Sequence, residues 1–198
     1  MEITVGAAES LPVELLRELA LYRHRVFVEM LGWDLDVKNG MELDQFDRPD
    51  TLYVVARGVE GHLIGAARLL PTDKPYLLRD VFPQLLGDEP APQSTEVWEL
   101  SRFAAVDFSA TAAAKGTDAL RQVSDPLSFD LLRAALALAA RSGVRRVISV
   151  SPLGIERILR RGGFQARRAG PTMLVNGHPV FACWIDVDSS VLPDVGAS

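Results

Sequence analysis

The sequence predicts an α/β domain in which helices cover a mixed sheet. Three observations lead there. An apolar face recurs at helical spacing near the start of the chain, short β-branched runs then alternate with helical segments, and the chain closes on a hairpin pattern.

The elements follow in order. In "ESLPVELLRELALYRHRVFVEMLGW", Ser10 is placed as an N-cap with Pro12 in the first turn. Leu15, Leu16, Leu19, Val26 and Met30 then make one apolar face, and Gly32 ends the helix. Residues 33–50 show no period and are rich in Asp and Gly, a loop long enough to suspect a function. "TLYVVAR" and "HLIGAARLL" flank "GVEG" as a strand pair, and "YLLRDVFPQLL" reads as a short helix stopped by Pro and Gly. "EVWELSRFAAV" is the next strand. Residues 107–124, rich in Ala, Ser and Thr, read as a mobile loop within one domain, not as a linker between two. Asp125-Pro126 starts a helix whose small apolar residues suit packing flat on a sheet. "VRRVISVS", "PLGIERILRRGG" and "FQARRAG" read as strand, helix and strand, and "TMLV-NG-HPVFACWIDV" as a hairpin on an Asn-Gly turn.

Composition narrows the classes. With 198 residues, 48% hydrophobic and 24% charged, the chain is expected to be one soluble globular domain spanning 1–198. No apolar run reaches the roughly 20 residues of a membrane span, and "MEITVGAAES" lacks a signal-peptide pattern, so a cytoplasmic protein is expected. The single Cys183 rules out an internal disulfide and fits the core. His24, His62 and His178 are scattered, which predicts no metal site. A net charge of −5 argues against nucleic acid as a partner.

That charge is uneven. Between residues 29 and 50 stand Glu29, Asp34, Asp36, Glu42, Asp44, Asp47 and Asp50, against only Lys38 and Arg48. Between 141 and 168 stand eight arginines and one acid, Glu156. Two solvated faces account for this, and so do a cationic ligand at one site and an anionic partner at another.

Charges also stand inside apolar runs. Glu99 and Arg102 interrupt "VWELSRFAA", Arg68 interrupts "GAARLL", and Arg23 shares a helix face with Phe27. Asp44 and Asp47 flank Phe46 in the acidic loop, and Trp33 stands at its start. Buried charge is costly unless paired, so these groups pair with one another or with a ligand.

The blocks "RHRVFVEMLGWDL", "ELDQFDRPDTLYVVAR", "ARLLPTDKPYLLRDVFPQLL" and "VWELSRFAA" resemble, in order and spacing, those of the LuxI-type acyl-homoserine lactone synthases, from about Leu21 to Asp186. The resemblance implies an N-acetyltransferase-like αβα fold, a V-shaped mixed sheet flanked by helices. "RRGGF" at Arg160–Phe164 is similar to a helix-end turn of that wider superfamily. It implies a quorum-sensing signal producer: S-adenosylmethionine is acylated by acyl carrier protein or acyl-coenzyme A, then cyclises with release of methylthioadenosine. S-adenosylmethionine is a substrate, and no cofactor is expected.

By position, the resemblance assigns Glu99, Arg68, Arg102 and Asp47 to catalysis. Glu99 is the expected base, directly or through water, the competing role being a structural partner of Arg102 or Arg68. Arg23, Phe27, Trp33 and Asp44 are assigned to substrate binding; Asp44, Asp47, Trp33 and Phe27 suit the cationic groups of S-adenosylmethionine, the competing role of the two rings being core packing. For Asp44 and Asp47 the competing role is bridging to Arg23 and Arg68. Backbone N–H groups around Phe103 and Ala104 are expected at the thioester oxygen. Leu132, Leu136, Val147 and Val150 are expected along the acyl chain, the competing role being ordinary core. Ser149 stands where the family often has Thr when the product bears a 3-oxo group; the C-terminal block leans toward an unsubstituted chain near octanoyl. Arg145, Arg146, Arg157, Arg160, Arg161, Arg167 and Arg168 are expected to meet the acyl carrier. Two readings compete: an acyl-coenzyme A N-acyltransferase of the same fold, and a non-catalytic binding module.

Overall fold

A computed structural model describes residues 1–109, 126–175 and 177–187. The chain begins with a strand the sequence reading passed over, β1 (Glu2–Ala7), in which Ile3 and Val5 alternate with polar neighbours. A 3₁₀ turn (Ala8–Ser10) leads to helix α1 (Val13–Arg23). Ser10 is not its N-cap: its hydroxyl turns back and donates to Ala7 O at 2.8 Å. Pro12 takes the cap position instead, and its carbonyl accepts the first helical bond, from Leu16 N at 3.1 Å. From His24 to Met30 the helix widens to π geometry, and Gly32 closes it at φ +68°.

The acidic segment is not wholly irregular. Strands β2 (Val37–Lys38) and β3 (Met41–Glu42) pair antiparallel around Asn39-Gly40, whose φ values are +54° and +72°. Two left-handed residues in sequence are what a two-residue hairpin turn requires, and Asn-Gly supplies them. Next come β4 (Leu52–Arg57), β5 (Leu63–Pro71), α2 (Leu77–Val81), a 3₁₀ turn (Pro83–Leu86) and β6 (Val97–Ala105). Helix α3 (Pro126–Arg141), β7 (Arg146–Pro152), α4 (Ile155–Arg161), β8 (Ala166–Arg168), β9 (Met173–Val175) and β10 (His178–Asp186) complete the order. Asp125, Asn176 and most of the 107–124 loop lie outside the described residues.

The chain clusters into two compact units, and strands β5 and β6 run through both. The first unit gathers Met1–Arg68 and Arg102–Leu131. Its strand order is β1-β4-β5-β6, with β1 antiparallel to β4 from Glu2↔Arg57 to Ala7↔Leu52. Leu15, Leu19, Tyr22, Val26 and Phe27 pack there on Tyr53, Val55, Leu63, Ala66, Ala104 and Val106, as the apolar helix face predicts.

The second unit gathers Leu69–Ser101 and Leu132–Ser198. Its order is β5-β6-β7-β10-β8, with β9 also on β10. The sheet is mixed: β6 runs parallel to β7 over Val97–Glu99, whereas β7 and β10 are antiparallel. In that register Ser149 faces Cys183 and Ser151 faces Phe181, so Val147, Ser149 and Ser151 share one face of β7. Val150 points to the other. The expected acyl lining therefore cannot include Val147 and Val150 on one wall, because strand alternation separates them.

Candidate active site

In the first unit, three arginines and three carboxylates close into one buried network. Arg23, 1% exposed at the end of α1, donates from Nε to Glu42 Oε2 at 2.6 Å and grips Asp47 with both terminal nitrogens, at 2.6 and 3.0 Å. Arg68, fully buried on β5, grips Asp44 the same way at 2.6 and 3.0 Å and reaches Asp47 Oδ1 at 3.0 Å. Arg102 donates from Nη2 to Glu42 Oε1 at 2.9 Å and to Asp44 Oδ2 at 3.0 Å. Forked guanidinium–carboxylate pairs are the strong form of this contact, and the formal charges cancel. Tyr53 adds its hydroxyl to Asp47 Oδ1 at 2.5 Å.

The loop is built to hold those acids. Asp44 Oδ1 accepts Phe46 N at 2.8 Å, Asp47 Oδ2 accepts Asp44 N at 2.7 Å, and Thr51 Oγ1 donates to Phe46 O at 2.7 Å. Such Asx-type bonds order a short loop without a strand or helix. Burial alone would raise the pKa of Glu42, but Arg102 and Arg23 outweigh it and hold the carboxyl below its usual range. Burial is likewise overcome at Asp47 by Arg23 and Arg68. The acidic loop thus answers the arginines, so the bridging role weighed for Asp44 and Asp47 is the one the geometry displays.

Arg102 carries a second mark. It sits within β6 at φ +49°, left-handed backbone that a side-chain-bearing residue adopts at a cost of about 1–3 kcal/mol. Its guanidinium lies 5.7 Å from the centre of the Phe27 ring, and Phe27 stacks on Trp33 at 4.9 Å. Phe27 is core, but Trp33 remains 36% exposed and can offer an aromatic face to a cation.

Glu99 is fully buried in the second unit. Its carboxylate accepts Leu77 N at 3.1 Å and Leu78 N at 2.6 Å, the first peptide N–H groups of α2. On β7, Ser149 Oγ lies 2.8 Å from Ser151 Oγ, so each hydroxyl has a neighbour. Phe103 is half-buried on β6. Leu132, Leu136 and Val147 are buried.

The arginine-rich segment is mostly answered by nearby groups. Arg145 pairs with Glu96, Arg160 and Arg168 with Glu156, and Arg167 with Asp186. Arg146 lies over Trp184 at 4.6 Å. Arg157 and Arg161, exposed and one turn apart on α4, form no ion pair among the described residues.

Sequence reading missed Glu42 and Tyr53. In the sequence Glu42 is one acid among seven, yet it joins two arginines. The "NG" at 39–40 was the signal available: a turn there puts residue 42 on a strand, where its direction is fixed. Tyr53 left no signal, because it reads as an ordinary strand aromatic. Among the described residues no helix is long and apolar enough to cross a membrane.

A family model described as autoinducer synthase matches residues 11–194. The chain is 49% identical over 187 residues to an acyl-homoserine-lactone synthase of Acinetobacter nosocomialis, covering 94% of this chain and 100% of that one. Among solved structures, TofI in a ternary complex with an inhibitor and MTA matches at 47% identity and TM-score 0.79, covering 96% of this chain and 93% of that one. The coenzyme A-dependent acyl-homoserine lactone synthase BjaI, solved with SAM and isopentyl-CoA, matches at 25% identity and TM-score 0.81, covering 96% and 85%. An acyl-CoA N-acyltransferase from Pseudomonas aeruginosa, at 18% identity and TM-score 0.61 over 93% of this chain and 99% of that one, shares the acyltransferase fold alone.

Proposed function

This chain belongs to the autoinducer synthase family, and on that premise we propose how its residues divide the work of an acyl-homoserine lactone synthase. The enzyme is an acyltransferase that joins an acyl group to S-adenosylmethionine and releases the lactone signal. Both competing readings, a plain N-acyltransferase and a non-catalytic module, give way to that membership.

The observation that carries the division of work is the closed network of Arg23, Arg68 and Arg102 with Glu42, Asp44 and Asp47. Its carboxylates accept two or more donors at each oxygen, so they act by holding the acidic loop and the three arginines as one fixed wall beside the substrate. Trp33, the exposed ring of the aromatic pair, meets the sulfonium.

The substrate amine must lose a proton to attack the thioester carbonyl. Glu99 takes that proton, directly or through a water, and the acyl carrier's thiolate leaves. Peptide N–H groups near Phe103 stabilise the oxyanion. The carboxylate of the acylated intermediate then attacks the carbon bearing the sulfonium, and methylthioadenosine departs with the bonding pair on sulfur. Glu99→Gln should slow acylation by ~10²-fold or more. A folded Glu99→Gln protein with near-normal turnover would assign the base elsewhere.

The donor is acyl carrier protein, docked at Arg157 and Arg161, neighbouring exposed arginines of α4 that form no ion pair among the described residues. Charge reversal at Arg161 should raise KM for the acylated carrier and leave KM for S-adenosylmethionine unchanged. An unchanged KM for the acylated carrier in the charge-reversed protein, with more efficient turnover of the matching acyl-coenzyme A, would instead make coenzyme A the donor. The acyl chain is unsubstituted and near octanoyl. Ser151 already neighbours the Ser149 hydroxyl, so no substrate oxygen is needed there, and Ser149→Ala should change yield little. The chain 1–198 works as a single domain, a reading supported by strands β5 and β6 each contributing residues to both units. The enzyme works in the cytoplasm, where both substrates are made.

One experiment tests the whole reading. The protein is incubated with S-adenosylmethionine and a panel of acyl carriers, and methylthioadenosine and lactone are followed by mass spectrometry. Absence of both with every donor would overturn it.

A further inference from the structure

Glu99 is set into β6 with no surface exposure, and two peptide N–H groups converge on it from a different element. Leu77 N meets Oε2 and Leu78 N meets Oε1, so each carboxylate oxygen has its own donor. Two donors on two oxygens fix both the position and the plane of a carboxylate, which a single bond does not. The segment that supplies them is itself anchored. Tyr76, fully buried, donates its hydroxyl to Pro92 O at 2.8 Å, and Asp80 N and Phe82 N close the turns that follow, on Tyr76 O and Leu78 O.

We propose that the peptide N–H groups of Leu77 and Leu78 are positioning groups for the reaction, holding the Glu99 carboxylate in the orientation from which it takes the proton. The inference rests on the reading of Glu99 as the base and assigns it a second attachment. A carboxylate that is both buried and steered does not have to search for its geometry at each turnover, so the effect belongs to the chemical step and not to substrate binding. It also bears on the Glu99→Gln test. A glutamine has one acceptor oxygen, so its amide nitrogen would face one of the two N–H donors. That variant loses basicity and α2 attachment together.

A proline at position 77 separates them. Leu77 is the first residue of α2, where the missing N–H and fixed φ of proline are tolerated, and Tyr76 before it is extended at φ −146° and ψ 160°, as a residue preceding proline should be. Leu77→Pro therefore deletes the N–H to Glu99 Oε2 while leaving the carboxylate intact. Leu77→Ala is its reference, since it loses the same half-buried side chain and keeps the N–H. Steady-state kinetics with S-adenosylmethionine and the acylated carrier should show kcat of Leu77→Pro about tenfold below that of Leu77→Ala, as for one hydrogen bond to a charged group, with both KM values matching. Equal kcat in the two variants, or a difference confined to KM, would overturn the proposal. If Leu77→Pro does not fold, replacing Leu78 by its α-hydroxy analogue deletes the other N–H, keeps the side chain and is compared with wild type under the same two outcomes. A folded Glu99→Gln with normal turnover refutes the base assignment itself. An inactive Glu99→Gln beside matched Leu77 variants refutes only the positioning role.

Discussion

Replacing Glu42 by glutamine should unsettle the buried network more than any single exposed charge on the molecule. In the wild type, three guanidinium and three carboxylate charges cancel, and Glu42 is the member that joins Arg23 to Arg102. Glu42→Gln keeps the shape but leaves a net positive charge among groups that are almost wholly out of water. The amide nitrogen would also face a guanidinium N–H, donor against donor. Removing one partner from a buried ion pair costs about 3–5 kcal/mol, a large share of the roughly 5–15 kcal/mol that a domain has. Urea unfolding at pH 7 should show a loss of that size. The pH dependence supplies an independent check. Burial opposes the charge on Glu42, but Arg102 and Arg23 hold its pKa below the unfolded value, so the unfolded chain takes up the proton first as pH falls. The carboxylate's contribution is thus present above the ordinary carboxylate range of about pH 4.3 and is lost as pH drops through the lower folded value. Wild-type stability should fall over that window, and Glu42→Gln should fall less steeply. A loss under about 1 kcal/mol at pH 7, or an identical acid slope in the two proteins, would refute the network's role.

Three further outcomes follow from the same geometry. Tyr22→Phe removes a hydroxyl that accepts Val106 N at 2.9 Å and donates toward Ile64 O and Val106 O. The stranded groups should cost about 1–3 kcal/mol in urea unfolding, and an unchanged midpoint would count against it. Gly170→Ala would place a Cβ 2.1 Å from Leu85 O, a clash with backbone, so its thermal midpoint should drop by several degrees or more; a midpoint equal to wild type would contradict that packing. Burial pushes the Cys183 thiol up to about 12, so the native protein should resist a thiol reagent at pH 8 and react once unfolded. Rapid labelling of the native state would show the site to be open.

Much of this protein was legible before any coordinate. Apolar spacing gave α1 its core face, and the strand and helix alternation gave the mixed sheet, because periodicity is a local property that a sequence displays directly. Charges inside apolar runs marked Arg23, Arg68, Glu99 and Arg102, because burying an ion is expensive enough to demand a reason. The partners of those charges were another matter. Glu42 lies 19 residues from Arg23 and 60 from Arg102, and only the hairpin at Asn39-Gly40 brings it to both. The same limit hid the donors of Glu99, because a peptide N–H carries no side-chain signature. Strand parity likewise set Val147 and Val150 on opposite faces, although their residue types are the same. Sequence states which groups must be satisfied, since that depends on chemistry carried by each residue. Tertiary structure decides by whom, since that depends on where distant backbone segments cross.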